Sequence, residues 1–333
     1  MKIVRIILFG GNRSLLHVAL DARKRNLETI IFTDEFRLGM LINEVGTLKQ
    51  NLEKENIAYV KRETISKDLI AKYVVEGTIG FSIATFWIFK KDVIELFDGG
   101  MFNYHAARLP MERGGGTITH KILSRSKMGG LTIHKIVPGI DQGDIVMAKE
   151  FLFPETSCIP LDYFNHMEKI EVELLSEFLD AIEKGDELRS VPQIETYSLY
   201  WPLINTLLNG YINWDWSVDD IELFICAFDD PYEGASTFYH GKRVHLKKCF
   251  YSRDEGDFHP FQAGIVLRNH EGNILIAAEG GSLIVHEVFD ENSNKINDSI
   301  RVGNRFYTPY DVLSKTKQEK VVYGPRGLKN ELY

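Results

Sequence analysis

Asn103, Tyr104 and His105 form the densest run of chemistry-bearing side chains in this 333-residue chain. They stand at the end of an apolar segment that reads as a buried strand, and in open α/β sheets ligands bind at the carboxyl ends of strands. Asn103 and His105 are two apart, so on an extended strand their side chains share a face. The amide brings donors and the imidazole a titratable nitrogen. Ala106 to Gly116 follow, and Gly114–Gly115–Gly116 permit close backbone approach. A second feature, Pro138–Gly139–Ile140–Asp141–Gln142–Gly143–Asp144, presents Asp141 on an adaptable loop. Beside His105 that carboxylate can hold the ring in one tautomer.

Together an amide, an imidazole and a carboxylate suit acyl transfer to an amine. The first two stabilise a developing oxyanion, and the His–carboxylate couple accepts the amine's proton. Taken singly the residues are ordinary. An Asp in such a loop is most often turn chemistry, and a His at a strand end is most often structural. The other nine histidines, His134 included, are read as structural. No GxSxG occurs, so a serine nucleophile has no support. Gly10–Gly11 lacks the GxGxxG spacing of a dinucleotide fold.

The elements that must position these groups are legible as an alternation. Residues 3–9 read as a buried strand, 14–24 as a helix, 30–32 as a strand and 37–54 as helical. Then come strand 58–60, helix 66–75, strand 78–82, helix 88–97 and strand 101–104. This predicts an α/β fold: a Rossmann-like, mostly parallel sheet with flanking helices. A helix at 117–125, strands at 130–137 and 144–152, and a long helix over 160–184 complete residues 1–200. After a helix at 218–228, short strands separated by Gly and Asn (235–239, 243–250, 263–268, 273–278, 282–289) predict a smaller OB-like β-barrel over 205–312. Residues 313–333 read as a charged tail.

Composition narrows the partners. Net charge is −8, and residues 201–333 carry 14 cationic against 19 acidic side chains. Neither half is basic, which argues against a protein whose main work is gripping nucleic-acid phosphates. Three widely spaced cysteines, Cys158, Cys226 and Cys249, with no CxxC, speak against a disulfide framework or a thiolate metal site. No apolar run is long enough to span a membrane, and MKIVRIILFGG reads as a first strand. A cytoplasmic, metal-free protein is expected.

FNYHAARLPMERGGG (102–116) followed by LTIHKIVPGIDQGDIV (131–146) resembles the core signature of folate-dependent formyltransferases. The family pattern is roughly N-x-H-x-S-L-L-P-x-x-R-G, a strand, then G-x-D-x-G-x-I. NWDWSVDDIELFICAFDDPYEGASTFYHGKRV (213–244) is similar to the start of the carboxyl-terminal domain of longer members. The resemblance implies N10-formyltetrahydrofolate as formyl donor. Asn103 would then stabilise the oxyanion, His105 act as base or oxyanion donor, and Asp141 tune His105 or itself take the amine proton. Ser82, Phe86, Trp87, Ile88, Gly116, Pro138, Gly139 and Ile140 would wall the pterin pocket. The chain departs at Ala107, where the family has a serine, at Arg108, where it has a leucine, and at Gly115–Gly116.

Three acceptors fit the resemblance: an amino sugar on a nucleotide, methionyl initiator tRNA, and glycinamide ribonucleotide. Enzymes of the third kind usually lack a second domain. The second asks for a basic surface and a basic insert, whereas residues 34–54 are mixed in charge and the later domain is acidic. The expected acceptor is therefore a dTDP-, UDP- or GDP-linked amino sugar of the kind that enters surface polysaccharide or O-antigen. Gly11, Asn12 and Arg13, at a strand end before a helix, could meet its diphosphate. Arg108, Arg113 and Tyr104 are further candidates for contact with the acceptor. Sugar-type relatives imply a homodimer.

Overall fold

The computed structural model describes residues 2–43 and 46–329. Its first half is built on seven strands: β1 Arg5–Gly10, β2 Glu28–Thr33, β3 Tyr59–Lys61, β4 Thr78–Ile83, β5 Met101–His105, β6 Met128–Lys135 and β7 Ile145–Leu152. Their order is β7-β6-β5-β4-β1-β2-β3. The pairs from β5 to β3 are parallel, and β6 joins β5 antiparallel, as β7 joins β6. Alternate side chains serve opposite faces. Ile6 and Leu8 enter one core and Ile7 and Phe9 the other, so the strand is apolar throughout because both faces are covered.

Helix α1, Arg13–Lys24, starts where the Asn12 side chain accepts the Leu15 N–H at 3.0 Å. Helix α2, Glu35–Gly39, follows β2, and α3 is Leu48–Lys54. The expected helix over 37–54 is thus broken: Leu41–Asn43 and Gly46–Thr47 pair between α2 and α3, while Glu44 and Val45 lie outside the described residues. Two further helices shrink to one turn, Lys67–Ile70 and Lys91–Ile94. Helices α4, Thr117–Leu123, and α5, Pro160–Lys184, complete this half. The carboxylate of Asp162 accepts the N–H groups of Cys158 and Ile159 at the start of α5, and Gly185 ends it at φ 72°. Phe178 of α5 meets Phe81 and Phe102 with ring centroids 4.8 and 5.3 Å apart. Burying a ring of this size is worth about 2–3 kcal/mol.

The second half contains helix α6, Val218–Ala227, and an antiparallel sheet of β8 Ala235–Tyr239, β9 Lys242–Ser252, β10 Val266–His270, β11 Asn273–Ala278, β12 Gly281–Asp290 and β13 Phe306–Tyr307. The order is β10-β11-β12-β9-β8-β13. The two edges meet through a bridge between Ile265 and Arg305, so the sheet curls into the expected barrel-like form. The segment read as a charged tail is structured as far as it is described. Helix α7, Tyr310–Gln318, leads to a hairpin that pairs Tyr323–Gly324 with Gly327–Leu328, and residues 330–333 lie outside the described residues.

Candidate active site

A cleft of about 570 Å³ opens at the carboxyl ends of β1, β2, β4 and β5. The register of the sheet fixes its polar centre. Asn103 lies opposite His134 across the β5–β6 pair, and His105 opposite Thr132. The Asn103 amide donates from Nδ2 to His134 Nε2 at 3.1 Å, because His134 Nδ1–H is already given to the Lys135 carbonyl at 2.8 Å. The second Asn103 N–H remains for a ligand oxygen.

His105 is held from the other side. Its Nε2–H donates to the Glu112 carbonyl at 2.6 Å, which leaves Nδ1 as the bare nitrogen of the neutral ring. That nitrogen faces Asp141 Oδ2 at 3.7 Å, while Asp141 Oδ1 is 3.4 Å from His134 Nε2. Asp141 sits at φ 54° and accepts the Gly114 N–H at 2.9 Å. Burial opposes ionisation of this carboxyl, but the positive charge of the imidazolium forms of His105 and His134, together with the Gly114 N–H, outweighs it and holds its pKa at about 2. It is ionised at neutral pH and a poor proton acceptor. The three residues expected from sequence therefore converge, and His134, read as structural, joins them. The available signal was the polar alternation of Thr132 and His134 in an otherwise apolar strand.

Ser82, Phe86, Trp87, Ile88, Gly139 and Ile140 line the cleft, as do Gly11, Asn12 and Tyr104. Trp87 is mostly buried, with its indole N–H given to the Glu63 carbonyl at 3.0 Å, whereas Ile88 is 69% exposed. Tyr104 is buried beside Glu171 of α5, and burial pushes both of their pKa values up. Two buried hydroxyls at the strand ends, Ser82 Oγ and Thr33 Oγ1, have no hydrogen-bond partner.

Five expected contacts fall outside the cleft lining: Arg13, Arg108, Arg113, Gly116 and Pro138. Each arginine is engaged elsewhere. Arg13 pairs with Glu168, and Arg113 is buried against Gln193 and Glu195. Arg108 binds Glu112 at 2.9 Å, and the same carboxylate takes Lys121 at 2.6 Å. The glycine run admits another backbone. A Cβ on Gly114 would lie 2.2 Å from the Trp201 carbonyl oxygen and one on Gly116 3.1 Å from Ile204 N, because Tyr200–Trp201 pairs with Arg113–Gly114. Sequence reasoning missed the far wall of the cleft: Phe36, Arg37, Met40, Tyr200, Leu203 and Tyr323. Among the described residues no group of His, Cys, Asp and Glu could hold a metal ion, and no helix is long and apolar enough to cross a membrane.

Comparison with known proteins gives a consistent result. Residues 47–177 match the family described as formyl transferase, and residues 207–299 match the formyl transferase C-terminal domain. A methionyl-tRNA formyltransferase of Dictyoglomus thermophilum is 27% identical over 276 residues, 80% of this chain and 82% of its own length. Other relatives of that name match over 62 to 70% of their length. A sugar 3N-formyl transferase solved in the presence of dTDP and 5-N-formyl-THF superposes with a TM-score of 0.62 at 21% identity, covering 86% of this chain and 98% of that one. An N-formyltransferase from Helicobacter canadensis, solved with folinic acid and dTDP-3-aminofucose, gives 0.62 at 18% identity, covering 85% and 99%.

Proposed function

The chain belongs to the formyl transferase family, is an enzyme carrying both of that family's domains, and from this premise we propose that it moves a formyl group from N10-formyltetrahydrofolate to the amino group of a nucleotide-linked amino sugar. In this reading residues 1–200 are the catalytic unit and 205–312 the smaller barrel. The observation that carries the chemistry is the convergence of Asn103, His105, His134 and Asp141 at one end of a cleft that runs on past Ser82 to Gly11 and Asn12.

The amine attacks the formyl carbon, and negative charge develops on the formyl oxygen. The free N–H of Asn103 is oriented by His134 to meet that oxygen. The amine's proton goes to the bare Nδ1 of His105. The resulting imidazolium has Nε2–H on Glu112 O and lies 3.7 Å from the Asp141 carboxylate, so the charge is balanced where it forms. Collapse breaks the bond to N10, which leaves with the proton from His105. Asp141 serves as a fixed anion in this scheme and not as the base.

The donor's pterin has an apolar wall available in Trp87, Ile88, Ile136, Val137 and Ile140. For the acceptor, the Asn12 cap of α1 presents a helix N-terminus to phosphate, with the unpartnered Ser82 and Thr33 hydroxyls at the neighbouring strand ends. The acidic net charge and the names of the structural neighbours support a small sugar nucleotide. Methionyl initiator tRNA is the second reading, favoured by the names of the sequence relatives. Incubation with formyltetrahydrofolate and a panel of 3-amino- and 4-amino-dideoxy sugar nucleotides should give a product about 28 Da heavier, the mass of one transferred formyl group. No mass gain across the panel, with formyl-methionyl-tRNA forming instead, reverses the choice of acceptor.

A further inference from the structure

The C-terminal hairpin returns to the catalytic half and places Tyr323 in the cleft wall. Its ring stacks on Phe86 with centroids 5.1 Å apart and planes 18° apart, and both rings pack 6.0 Å from Phe36. The Arg37 guanidinium lies over Phe86 at 3.9 Å. Arg37 is buried and already satisfied by Asp34 and the Ala84 carbonyl, so this end of the cleft offers an aromatic surface and not a free cation.

The hairpin is tied down at several points. Asn205 donates to the Tyr323 hydroxyl at 2.8 Å, Phe36 N–H to the Pro325 carbonyl at 3.3 Å, and Arg326 to Glu63 at 2.6 Å. Five segments far apart in sequence thus meet: α2, the stretch after β3 at Glu63, the turn after β4, the stretch at Asn205 and the hairpin over 323–328.

We propose that this hairpin completes the acceptor site, and that Tyr323 with Phe86 and Phe36 forms the wall against which the planar base of the acceptor nucleotide lies. The inference rests on the sugar-nucleotide reading and names its recognition element. Strand order carries it. Asn103 is on β5, Ser82 on β4, Gly10 on β1 and the chain leading to Phe36 on β2, successive neighbours about 4.8 Å apart. An acceptor with its amine at Asn103 and His105 and its diphosphate at the start of α1, two strands away, brings its base over the end of β2. The aromatic rings stand there. Every nucleobase has a π-face, so the wall would favour a base without reading its identity by hydrogen bonds.

The test compares wild type with Tyr323→Ala, Tyr323→Phe and Tyr323→Leu by calorimetry, using dTDP, UDP and GDP as acceptor probes and 5-formyltetrahydrofolate as donor probe. The Ala and Leu variants should weaken the preferred nucleotide about ten- to a hundredfold and leave donor affinity unchanged. The Phe variant should stay within about threefold of wild type, since it keeps the ring. Unaltered nucleotide affinity in a variant that still binds the donor probe, or a loss confined to the donor probe, overturns the inference. Should wild type bind none of the three nucleotides, the sugar-nucleotide reading itself fails and this inference falls with it. If Tyr323→Ala does not fold, the Leu variant, which keeps apolar bulk without a ring, supplies the same comparison.

Discussion

His105 gives its Nε2–H to the backbone carbonyl of Glu112 at 2.6 Å and thereby turns a bare Nδ1 toward Asp141. The tautomer is set by main chain, not by the carboxylate. His105→Asn should lower kcat by about 10²- to 10⁴-fold, the usual range for losing a positioned proton-transfer group, and Asp141→Asn by about 10²- to 10³-fold, the range for losing one preorganised electrostatic partner. Donor and acceptor affinities should stay close to wild type. Steady-state kinetics with both substrates varied checks this, and a variant with near-normal kcat removes the role assigned to its residue.

Glu112 is the hub behind that tautomer. Its buried carboxylate joins Arg108 and the buried Lys121, while its carbonyl holds His105. Glu112→Gln leaves two cations without their anion. Breaking such a buried cluster costs about 3–5 kcal/mol. Urea unfolding should show a loss of that order together with reduced kcat. An unchanged midpoint means that the cluster is solvated in practice.

His134 acts on the amide and not on the proton. With it replaced by Phe, Asn103 loses the acceptor that orients its Nδ2, a bond of ordinary strength worth about 1 kcal/mol net. His134→Phe should therefore cost about fivefold in kcat, much less than His105→Asn. A deficit as deep as that of His105→Asn assigns His134 a part in moving the proton.

Asp141 also ties stability to pH. Its carboxyl is lowered from 3.8 to about 2, so the folded state gains roughly 2 kcal/mol from it when pH is above the unfolded value. This gain is present at neutral pH and disappears as pH falls from about 4 through about 2. The stability difference between wild type and Asp141→Asn, measured by urea titration, should shrink across that window. A difference that stays constant from pH 6 to pH 2 contradicts the depressed pKa.

Local patterns carried most of the fold. The long helix was legible over 160–184 because its apolar residues keep helical spacing, and strands 235–239 and 273–278 because turn residues bracket short apolar runs. The stretch 37–54 misled because its apolar residues fit a helix, while Met40 turns to extended backbone and Gly46, at φ 144°, takes part in the pairing of Leu41–Asn43 with Gly46–Thr47. The site was legible only in part, for a related reason. Asn103 and His105 share a strand and Asp141 an obvious turn, but His134 enters through the β5–β6 register, and Tyr323 through a hairpin that docks from the far end of the chain. Long-range pairing of that kind leaves no trace in the spacing of residues. The arginines lie outside the cleft lining for a different reason: sequence shows a cation but not the carboxylate that folding brings to it.

Gly114 joins the two demands on the glycine run. Its N–H holds Asp141 at 2.9 Å, its φ is 96°, and a Cβ there would sit 2.2 Å from the carbonyl oxygen of Trp201. Gly114→Ala must therefore strain the backbone and push away the segment Tyr200–Trp201 that pairs with it. The expected outcome is a loss of about 1–3 kcal/mol of stability, with kcat lowered as the Asp141 carboxylate loses a donor. Gly115→Ala should cost less. Its Cβ would meet the Leu203 side chain, which can move, and not a backbone atom. Thermal unfolding and kcat measured on both variants decide the matter. Equal effects mean that the crowding by Trp201 is relieved at no cost, and that the glycine at 114 is not required by its neighbour.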